Sequence, residues 1–229
     1  MSYLLNLYKD AVDLNHKNIS GLLDRNKKAV FLDLGCDDGV LTVKMAKKIG
    51  TKNILGIDIV DKQLKIAKKN KVKTFKADLN SVFPVESNTV DIIHANQVIE
   101  HIGDLDKFMS EIHRVLKVGG YAIVSTENAS SWCNIFALTM GWQMFSLTNI
   151  SSKALGIGNP FAMHKAEKIH LSSWTHKTIF SIGGLIDYAK VWGFTVSEVR
   201  GAGYFPLPAT IGNIDKTHCH FMTIKIHKQ

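Results

Sequence analysis

The chain has 229 residues, of which 45% are hydrophobic and 21% charged, and its formal net charge is +8. This composition is typical of a globular protein and excludes a fibrous or low-complexity chain. The first ten residues lack the apolar run of a secretory signal, and the most apolar window, residues 132–145, is too short to span a bilayer. Three widely spaced cysteines, an odd number, predict reduced thiols in the cytoplasm (Cys36, Cys133, Cys219).

Strands and helices are predicted to alternate along the chain. The predicted strands are residues 29–34, 53–58, 72–79, 90–95, 121–126, 194–199 and 218–226, and the main helices are residues 1–25, 40–48, 105–117 and 175–192. Thr175 is expected to cap the last helix. This alternation favours an α/β fold with a doubly wound, mostly parallel seven-stranded sheet. Because the link before the last strand is too short for a crossover helix, we expect that strand to be antiparallel.

We predict that residues 1–229 form a single domain with four parts. Residues 1–27 are a helical cap, residues 28–128 a ligand-binding half, residues 129–174 a lid insertion, and residues 175–229 a helix with a strand hairpin. The lid assignment depends on length and composition, because long connections rich in aromatic residues are often functional.

The most informative stretch is residues 30–42, in which an apolar run ends in an acid and is followed by two glycines. Asp33 closes the predicted strand, and Gly35 and Gly39 precede the helical pattern. Glycines allow the backbone to turn sharply and to approach a ligand without a Cβ in the way. A strand, a tight turn and a helix N-terminus in this order predict a site for a small polar ligand.

Two further acids follow at the ends of the next two predicted strands. Asp58 ends the second strand and is placed to accept hydrogen bonds from both hydroxyls of a ribose. Asp78 ends the third strand, from which it can reach an exocyclic amine such as that of adenine. Three acids at three neighbouring strand ends are more specific than a single glycine motif, and they predict a nucleoside pocket.

These motifs resemble those of the class I S-adenosylmethionine-dependent methyltransferases, which have a Rossmann-like fold. The similarity covers residues 28–128, and the nearest branch includes the ubiquinone- and menaquinone-biosynthesis methyltransferases. The matching segments are Leu32–Gly39, Asp58, Ala77-Asp78-Leu79, Phe83-Pro84, Val90–Ile93, Val98–His101 and Leu105–Gly120. The resemblance implies S-adenosyl-L-methionine as the cofactor, and the residues that it implies for binding are Asp33, Gly35, Cys36, Gly39, Asp58, Ile59, Asp78, Leu79 and Asn96.

The chain departs from this family at one position of the turn, where Asp37 replaces a third glycine. Aspartate tolerates a left-handed backbone better than most residues, so we expect the turn to form. A nicotinamide-binding fingerprint would instead require glycines at Asp37 and Val40, which disfavours that alternative.

The resemblance places the acceptor beyond the fourth and fifth strands, and His101 is the predicted general base there. Deprotonation of a hydroxyl acceptor is the step that would need such a base. A histidine that only orients the loop is an equally weighted alternative. Glu100 and His101 are two potential metal ligands, and since two ligands rarely hold a metal tightly, no metal is expected. His164, His170 and Tyr204 are secondary candidates for the acceptor cavity.

The sequence therefore predicts a cytoplasmic methyltransferase that modifies an oxygen, or in second place a nitrogen, of a small molecule such as a sugar or secondary metabolite. The lysine cluster over residues 62–76 has no interleaved aromatic residues, which argues against a nucleic-acid partner. An RNA or protein methyltransferase and a non-catalytic binding scaffold are the alternatives. The sequence leaves the oligomeric state open.

Overall fold

The structure, a computed structural model, describes residues 2–162, 165 and 174–229. The strands are β1 (Val30–Leu34), β2 (Asn53–Asp58), β3 (Lys73–Lys76), β4 (Val90–Asn96), β5 (Leu116–Glu127), β6 (Phe194–Ala202) and β7 (Phe221–Lys228). The helices are α1 (Ser2–Leu22), α2 (Val40–Ile49), α3 (Asp61–Lys69), α4 (Leu105–Val115), α5 (Trp132–Thr139) and α6 (Ile182–Val191). Within this part of the chain no helix combines the length and apolar character needed to cross a membrane.

The seven strands form one sheet in the order β3-β2-β1-β4-β5-β7-β6, which confirms the predicted fold class. The first five strands of the chain pair in parallel. β7 lies between β5 and β6 and is antiparallel to both, as the short link before it predicts. The carboxyl ends of β1 to β5 therefore meet at one edge of the sheet, where ligands bind in open α/β folds.

Helices cover both faces of the sheet because the central strands β1, β4 and β5 are buried on both sides. On one face, Ile19 of α1 and Met45 of α2 pack against Phe31 of β1. On the other face, Phe108 of α4 and Leu185 of α6 join the largest buried cluster. Burial of this kind on both faces is expected for a mostly parallel sheet.

A buried polar network fixes α1 over the ends of three strands. Asn15 is 3% exposed. Its Nδ2 donates to Asn96 Oδ1 at 3.0 Å, and its Oδ1 accepts from Ser125 Oγ and Thr223 Oγ1, both at 3.0 Å. The network ties the N-terminal helix to β4, β5 and β7. That residues 1–27 cap the ligand cleft stays a prediction.

Two predicted element starts differ from the structure by more than the other boundaries do. The last helix begins at Ile182 rather than near Thr175, and its cap is Ser181, whose Oγ accepts from the Gly184 amide at 3.2 Å. Thr175 is buried before the helix. β5 begins at Leu116 rather than at Tyr121, because the backbone is already extended beside β4 at Leu116, directly after α4.

Candidate functional site

The turn after β1 consists of left-handed residues, as the glycine pattern predicts. Gly35, Asp37 and Gly39 have φ values of +70°, +47° and +77°. Asp37 adopts the left-handed conformation, which confirms that the turn forms without the third glycine. A Cβ on Gly39 would also lie 3.0 Å from the backbone of Ala67, so α3 can pack closely only against glycine.

Asp33 lies beneath this turn rather than at its surface. Its side chain is 4% exposed, and its Oδ1 is 2.7 Å from His94 Nδ1. Its Oδ2 accepts from Thr42 Oγ1 at 2.5 Å. The Asp33 side chain therefore joins β1, β4 and α2. Because it is also buried, any part that it has in ligand binding acts through the backbone of the turn.

Asp58, at the end of β2, is joined directly to the turn after β1. Its Oδ2 accepts from the Asp37 amide at 2.9 Å and its Oδ1 from the Val60 amide at 2.9 Å. A carboxylate has about four acceptor positions, so both oxygens can still accept a further hydrogen bond. Ile59, which follows it, is 43% exposed and offers an apolar surface beside the carboxylate.

Asp78 lies two residues beyond β3 and is exposed. Its Oδ1 accepts from the amide and from the side chain of Asn80, at 2.9 and 2.7 Å. These two hydrogen bonds, helped by the charge of Lys177, hold the pKa of Asp78 below its usual value. The fold therefore brings Asp33, Asp58 and Asp78 to the ends of three adjacent strands.

The remaining residues predicted to bind the cofactor line the same edge. Asn96 ends β4 and is held by Asn15 of α1. Cys36 is buried, and burial raises the pKa of its thiol. Leu79 packs against the main core. The cofactor contacts of all these residues stay predictions.

Glu100 is the most deeply buried acid at this edge. It lies in a short 3₁₀ turn, Ile99–His101, and its Oε2 accepts from Thr126 Oγ1 at 2.8 Å. Its Oε1 has no hydrogen-bond partner among the described residues. Burial, with the nearby charge of Glu127, raises the pKa of Glu100 to about 8. The carboxyl group therefore keeps its proton at neutral pH.

His101 is held as a neutral imidazole. Burial lowers its pKa to about 4, and His176, whose ring centroid is 4.7 Å away, adds to this effect. His101 Nδ1 lies 3.3 Å from the carbonyl oxygen of Thr175. A carbonyl oxygen only accepts hydrogen bonds, so Nδ1 carries the proton and Nε2 is the basic atom. This geometry suits a general base and also suits a histidine that orients the loop.

His176 adds a third member to the two potential metal ligands found in the sequence. Glu100, His101 and His176 each offer one ligand atom, and these atoms lie within 4.8 Å of one another. Counting ligands along the sequence missed His176 because it comes 75 positions after His101 and no motif marks it. That no metal is required stays a prediction.

Three buried polar atoms at this edge have no hydrogen-bond partner within the described part of the chain. They are Gln97 Nε2, Glu100 Oε1 and Glu127 Oε2. Because nearly all buried polar groups in proteins are paired, such atoms mark a place where a bound molecule can supply donors and an acceptor. The site residues predicted from the sequence do not include Gln97 or Glu127, although Glu127 is an acid at a strand end like the other three.

The described part of the predicted lid packs through its aromatic residues. Trp132 stacks on His218 at 4.4 Å, and its Nε1 donates to Tyr204 Oη at 2.7 Å. Tyr204 Oη in turn donates to Asp215 at 2.5 Å, so the hydroxyl of this secondary candidate is already engaged. The other two secondary candidates, His164 and His170, lie outside the described residues. That residues 129–174 act as a lid stays a prediction.

The raised pKa of Glu100 predicts that replacing it by glutamine increases stability at alkaline pH. The unfolded chain loses this proton near the ordinary value of 4.5, whereas the folded protein keeps it to about 8. Stability contributed by protonated Glu100 is therefore complete below pH 4.5 and is lost as pH rises toward 8. We expect Glu100→Gln to gain about 2–5 kcal/mol over the wild type between pH 5 and pH 8.5.

Urea denaturation of both proteins at the two pH values measures this difference. Glu86→Gln is the matched control, because Glu86 is an exposed acid, and its replacement should leave the pH dependence unchanged. Parallel curves for Glu100→Gln and wild type would contradict the raised pKa.

Known proteins that resemble this chain in sequence are methyltransferases. A family model described as a methyltransferase domain matches residues 25–174. Over 116 residues the chain is 29% identical to the ubiquinone biosynthesis O-methyltransferase of Pelagibacter ubique. The aligned region covers 49% of this chain and 48% of the relative. The chain spans about half the length of this and a second curated relative, from Nitrosospira multiformis.

Solved structures share the fold over nearly the whole chain. One is a SAM-dependent methyltransferase of Thermotoga maritima, described as a possible histamine N-methyltransferase, with a TM-score of 0.63, 18% identity and coverage of 97% of this chain and 91% of that chain. Another is an S-adenosylmethionine-dependent methyltransferase of Mesorhizobium loti, with a TM-score of 0.60, 15% identity and coverage of 91% and 94%. At these identities the likeness shows the fold alone.

Proposed function

Because the chain belongs to the methyltransferase domain family that matches residues 25–174, we propose that this S-adenosylmethionine-dependent methyltransferase modifies a hydroxyl oxygen of a small molecule. The observation that carries this proposal is the neutral His101, whose Nε2 is the basic atom. Beside it, Glu100 and Glu127 each have one oxygen without a hydrogen-bond partner among the described residues. A hydroxyl acceptor starts protonated and benefits from a positioned base.

We propose that the cofactor lies across the ends of β1, β2 and β3. Asp58 binds the ribose hydroxyls and Asp78 the adenine amine. Asp33 supports the turn that holds the methionine portion. The other residues proposed for this site are Gly35, Cys36, Gly39, Ile59, Leu79 and Asn96.

When bound, S-adenosylmethionine supplies an electrophilic methyl group. The protein must hold the acceptor oxygen in line with that group and exclude water. In this proposal His101 Nε2 takes the proton of the attacking hydroxyl. Glu100 Oε1 and Glu127 Oε2 interact with neighbouring polar groups of the acceptor and so orient it.

The acceptor that suits these groups carries more than one hydroxyl. Two oxygens and one amide nitrogen are buried without partners among the described residues, and leaving them unpaired against an apolar acceptor would cost about 1–3 kcal/mol each. The curated relatives act in ubiquinone biosynthesis as O-methyltransferases, so a hydroxylated quinone precursor is the first candidate. A sugar or another secondary metabolite is the second. We further propose that the protein acts in the cytoplasm on this acceptor and not on nucleic acid.

Incubation with methyl-labelled S-adenosylmethionine and a panel of acceptors tests this function. The panel contains a catechol, the corresponding monohydroxy ring, a simple sugar and a primary amine, and mass spectrometry identifies the methylated atom. We expect O-methylation, fastest with the catechol. Methylation of the amine alone would replace the proposal, and labelling of added bulk RNA alone would favour an RNA methyltransferase.

We propose that the reaction requires no metal ion. His101 Nε2 can take the proton of the attacking hydroxyl without a Lewis acid, so the proposed mechanism does not call for a metal ion. We expect activity to be unchanged after dialysis against EDTA. A loss of activity that added Mg²⁺, Mn²⁺ or Zn²⁺ restores would instead assign Glu100, His101 and His176 as a metal site.

A further inference from the structure

The first turn of α5 contains a nucleophile that the proposed methyl transfer does not use. Cys133 Sγ lies 3.5 Å from His220 Nδ1 and 3.2 Å from Ser131 Oγ. The three residues come from the start of α5 and from the residue before β7. We propose that Cys133 and His220 form a thiolate–imidazolium pair, and that Cys133 is a site of covalent modification by small electrophiles, including peroxides.

The ring of His220 is fixed by its neighbours. It is 7% exposed and lies between the rings of Tyr8, Phe205 and Phe221, with centroid distances of 6.1, 5.0 and 4.5 Å. These contacts come from three separate segments of the chain, so the ring has little freedom to turn away. Its Nδ1 is therefore held toward the thiol of Cys133.

The charges around the pair favour its ionised form. Burial alone would raise the pKa of Cys133, but His220, with the hydrogen bond from Ser131, brings it below its ordinary value. Burial would likewise lower the pKa of His220, but Cys133 and Glu127 raise it. Tyr8 also faces Glu127 and stays neutral, because burial and that carboxylate raise its pKa.

The N-terminus of α5 acts in the same direction. Cys133 is the second residue of the helix. Backbone amides and the helix dipole at this position stabilise a negative charge, and cysteines beside a protonated histidine or at a helix N-terminus are more reactive than free cysteine. Glu127 opposes the thiolate but stabilises the imidazolium. Among the described residues it is the one carboxylate that shifts the pKa of both Cys133 and His220.

The other two cysteines provide a contrast within the same protein. Burial raises the pKa of Cys36, and it raises the pKa of Cys219 to about 12. Cys219 is fully buried, and its Sγ lies 3.1 Å from the carbonyl oxygens of Lys216 and Phe221, which favours the protonated thiol. Both cysteines are therefore expected to react slowly.

The modification itself needs only the electrophile. With iodoacetamide the thiolate forms a bond to the methylene carbon, the carbon–iodine bond breaks and iodide leaves. With hydrogen peroxide a sulfur–oxygen bond forms and the oxygen–oxygen bond breaks. The sulfur is then oxidised to a sulfenic acid, and the peroxide is reduced to hydroxide and, after protonation, to water.

Pulse labelling with iodoacetamide between about pH 6 and pH 9, followed by digestion and mass spectrometry, tests the proposal. In the folded wild type we expect Cys133 to react at least about tenfold faster than Cys36 and Cys219 at neutral pH. In concentrated guanidinium chloride the three should react alike, which controls for peptide detection. A sulfenic-acid trap after peroxide treatment should label wild type but not Cys133→Ser.

His220→Gln removes the imidazolium and should shift the labelling profile of Cys133 to higher pH. His227→Gln is the matched control, since His227 is at the far end of β7 and bonds to Ser197. Circular dichroism confirms that both variants are folded. Equal rates for the three cysteines, or an unchanged profile in folded His220→Gln, would overturn the proposal. The test involves no methyl transfer, so its result is independent of the proposed function.

Discussion

Replacing Asp58 by alanine is expected to weaken S-adenosylmethionine binding about 100-fold to 1000-fold. In the proposed site its carboxylate accepts hydrogen bonds from two ribose hydroxyls, and bonds to a charged group contribute about 1.5–3 kcal/mol each. A total near 3–4 kcal/mol corresponds to the stated loss of affinity. The carboxylate also accepts from the Asp37 amide at 2.9 Å, so its removal frees the turn that would hold the methionine portion.

Calorimetric titration with the cofactor measures this effect. Asp61→Ala is the matched control, because Asp61 lies three residues later, is 63% exposed and pairs with Lys76 outside the proposed site. We expect that control to bind as the wild type does. An Asp58→Ala protein that is folded and binds within about threefold of wild type would show that the ribose lies elsewhere.

The cofactor half could be predicted because its signals are local. An apolar strand, an acid, a glycine turn and a helix follow one another within residues 30–49, and each is recognisable from its own neighbours. The carboxyl ends of parallel strands must meet at one edge, so Asp58 and Asp78 could be placed beside Asp33 without a structure. The left-handed conformation of Asp37 could also be predicted from the sequence, since tolerance of a positive φ is a property of the aspartate residue itself.

The acceptor half could not be predicted to the same depth, because its residues come from distant segments. His176 meets His101 only after the chain has passed through β5 and the segment that follows it. Cys133 and His220 are 87 positions apart, and no motif links them. The wrong predicted start of α6 has a similar cause. Thr175 is a good helix cap by residue type, but its carbonyl oxygen contacts His101, and the helix begins later, at Ile182. Tertiary contacts therefore overrode a local preference.

The buried polar groups of the two halves differ in how completely they are hydrogen-bonded. Asp33 and Asn15 have partners on several elements and support the sheet. Within the described part of the chain, Glu100 and Glu127 each leave one oxygen unpaired, and such groups lower stability. Buried polar groups without partners at the edge of a sheet are expected where a bound molecule forms the missing hydrogen bonds.

Replacing His101 by glutamine is expected to lower kcat about 100-fold to 10,000-fold, the range that a general base contributes. Because the low pKa of about 4 keeps His101 neutral above pH 5, the wild-type rate should be insensitive to this group between pH 6 and pH 8. As pH falls through about 4 the imidazole gains a proton, the base is lost and the rate falls. S-adenosylmethionine binding should be unchanged, since His101 is not among the residues proposed to bind the cofactor.

The alternative, that His101 only orients its loop, gives a different kinetic result. Loss of orientation would raise KM for the acceptor and leave the acid limb of the pH–rate profile in place, because that limb would belong to another group. Loss of the base lowers kcat and removes the limb. His113→Gln is the control, since His113 lies on α4 against Phe194 and its replacement should change neither constant. An acid limb that persists in His101→Gln with kcat near the wild-type value would therefore assign His101 to positioning.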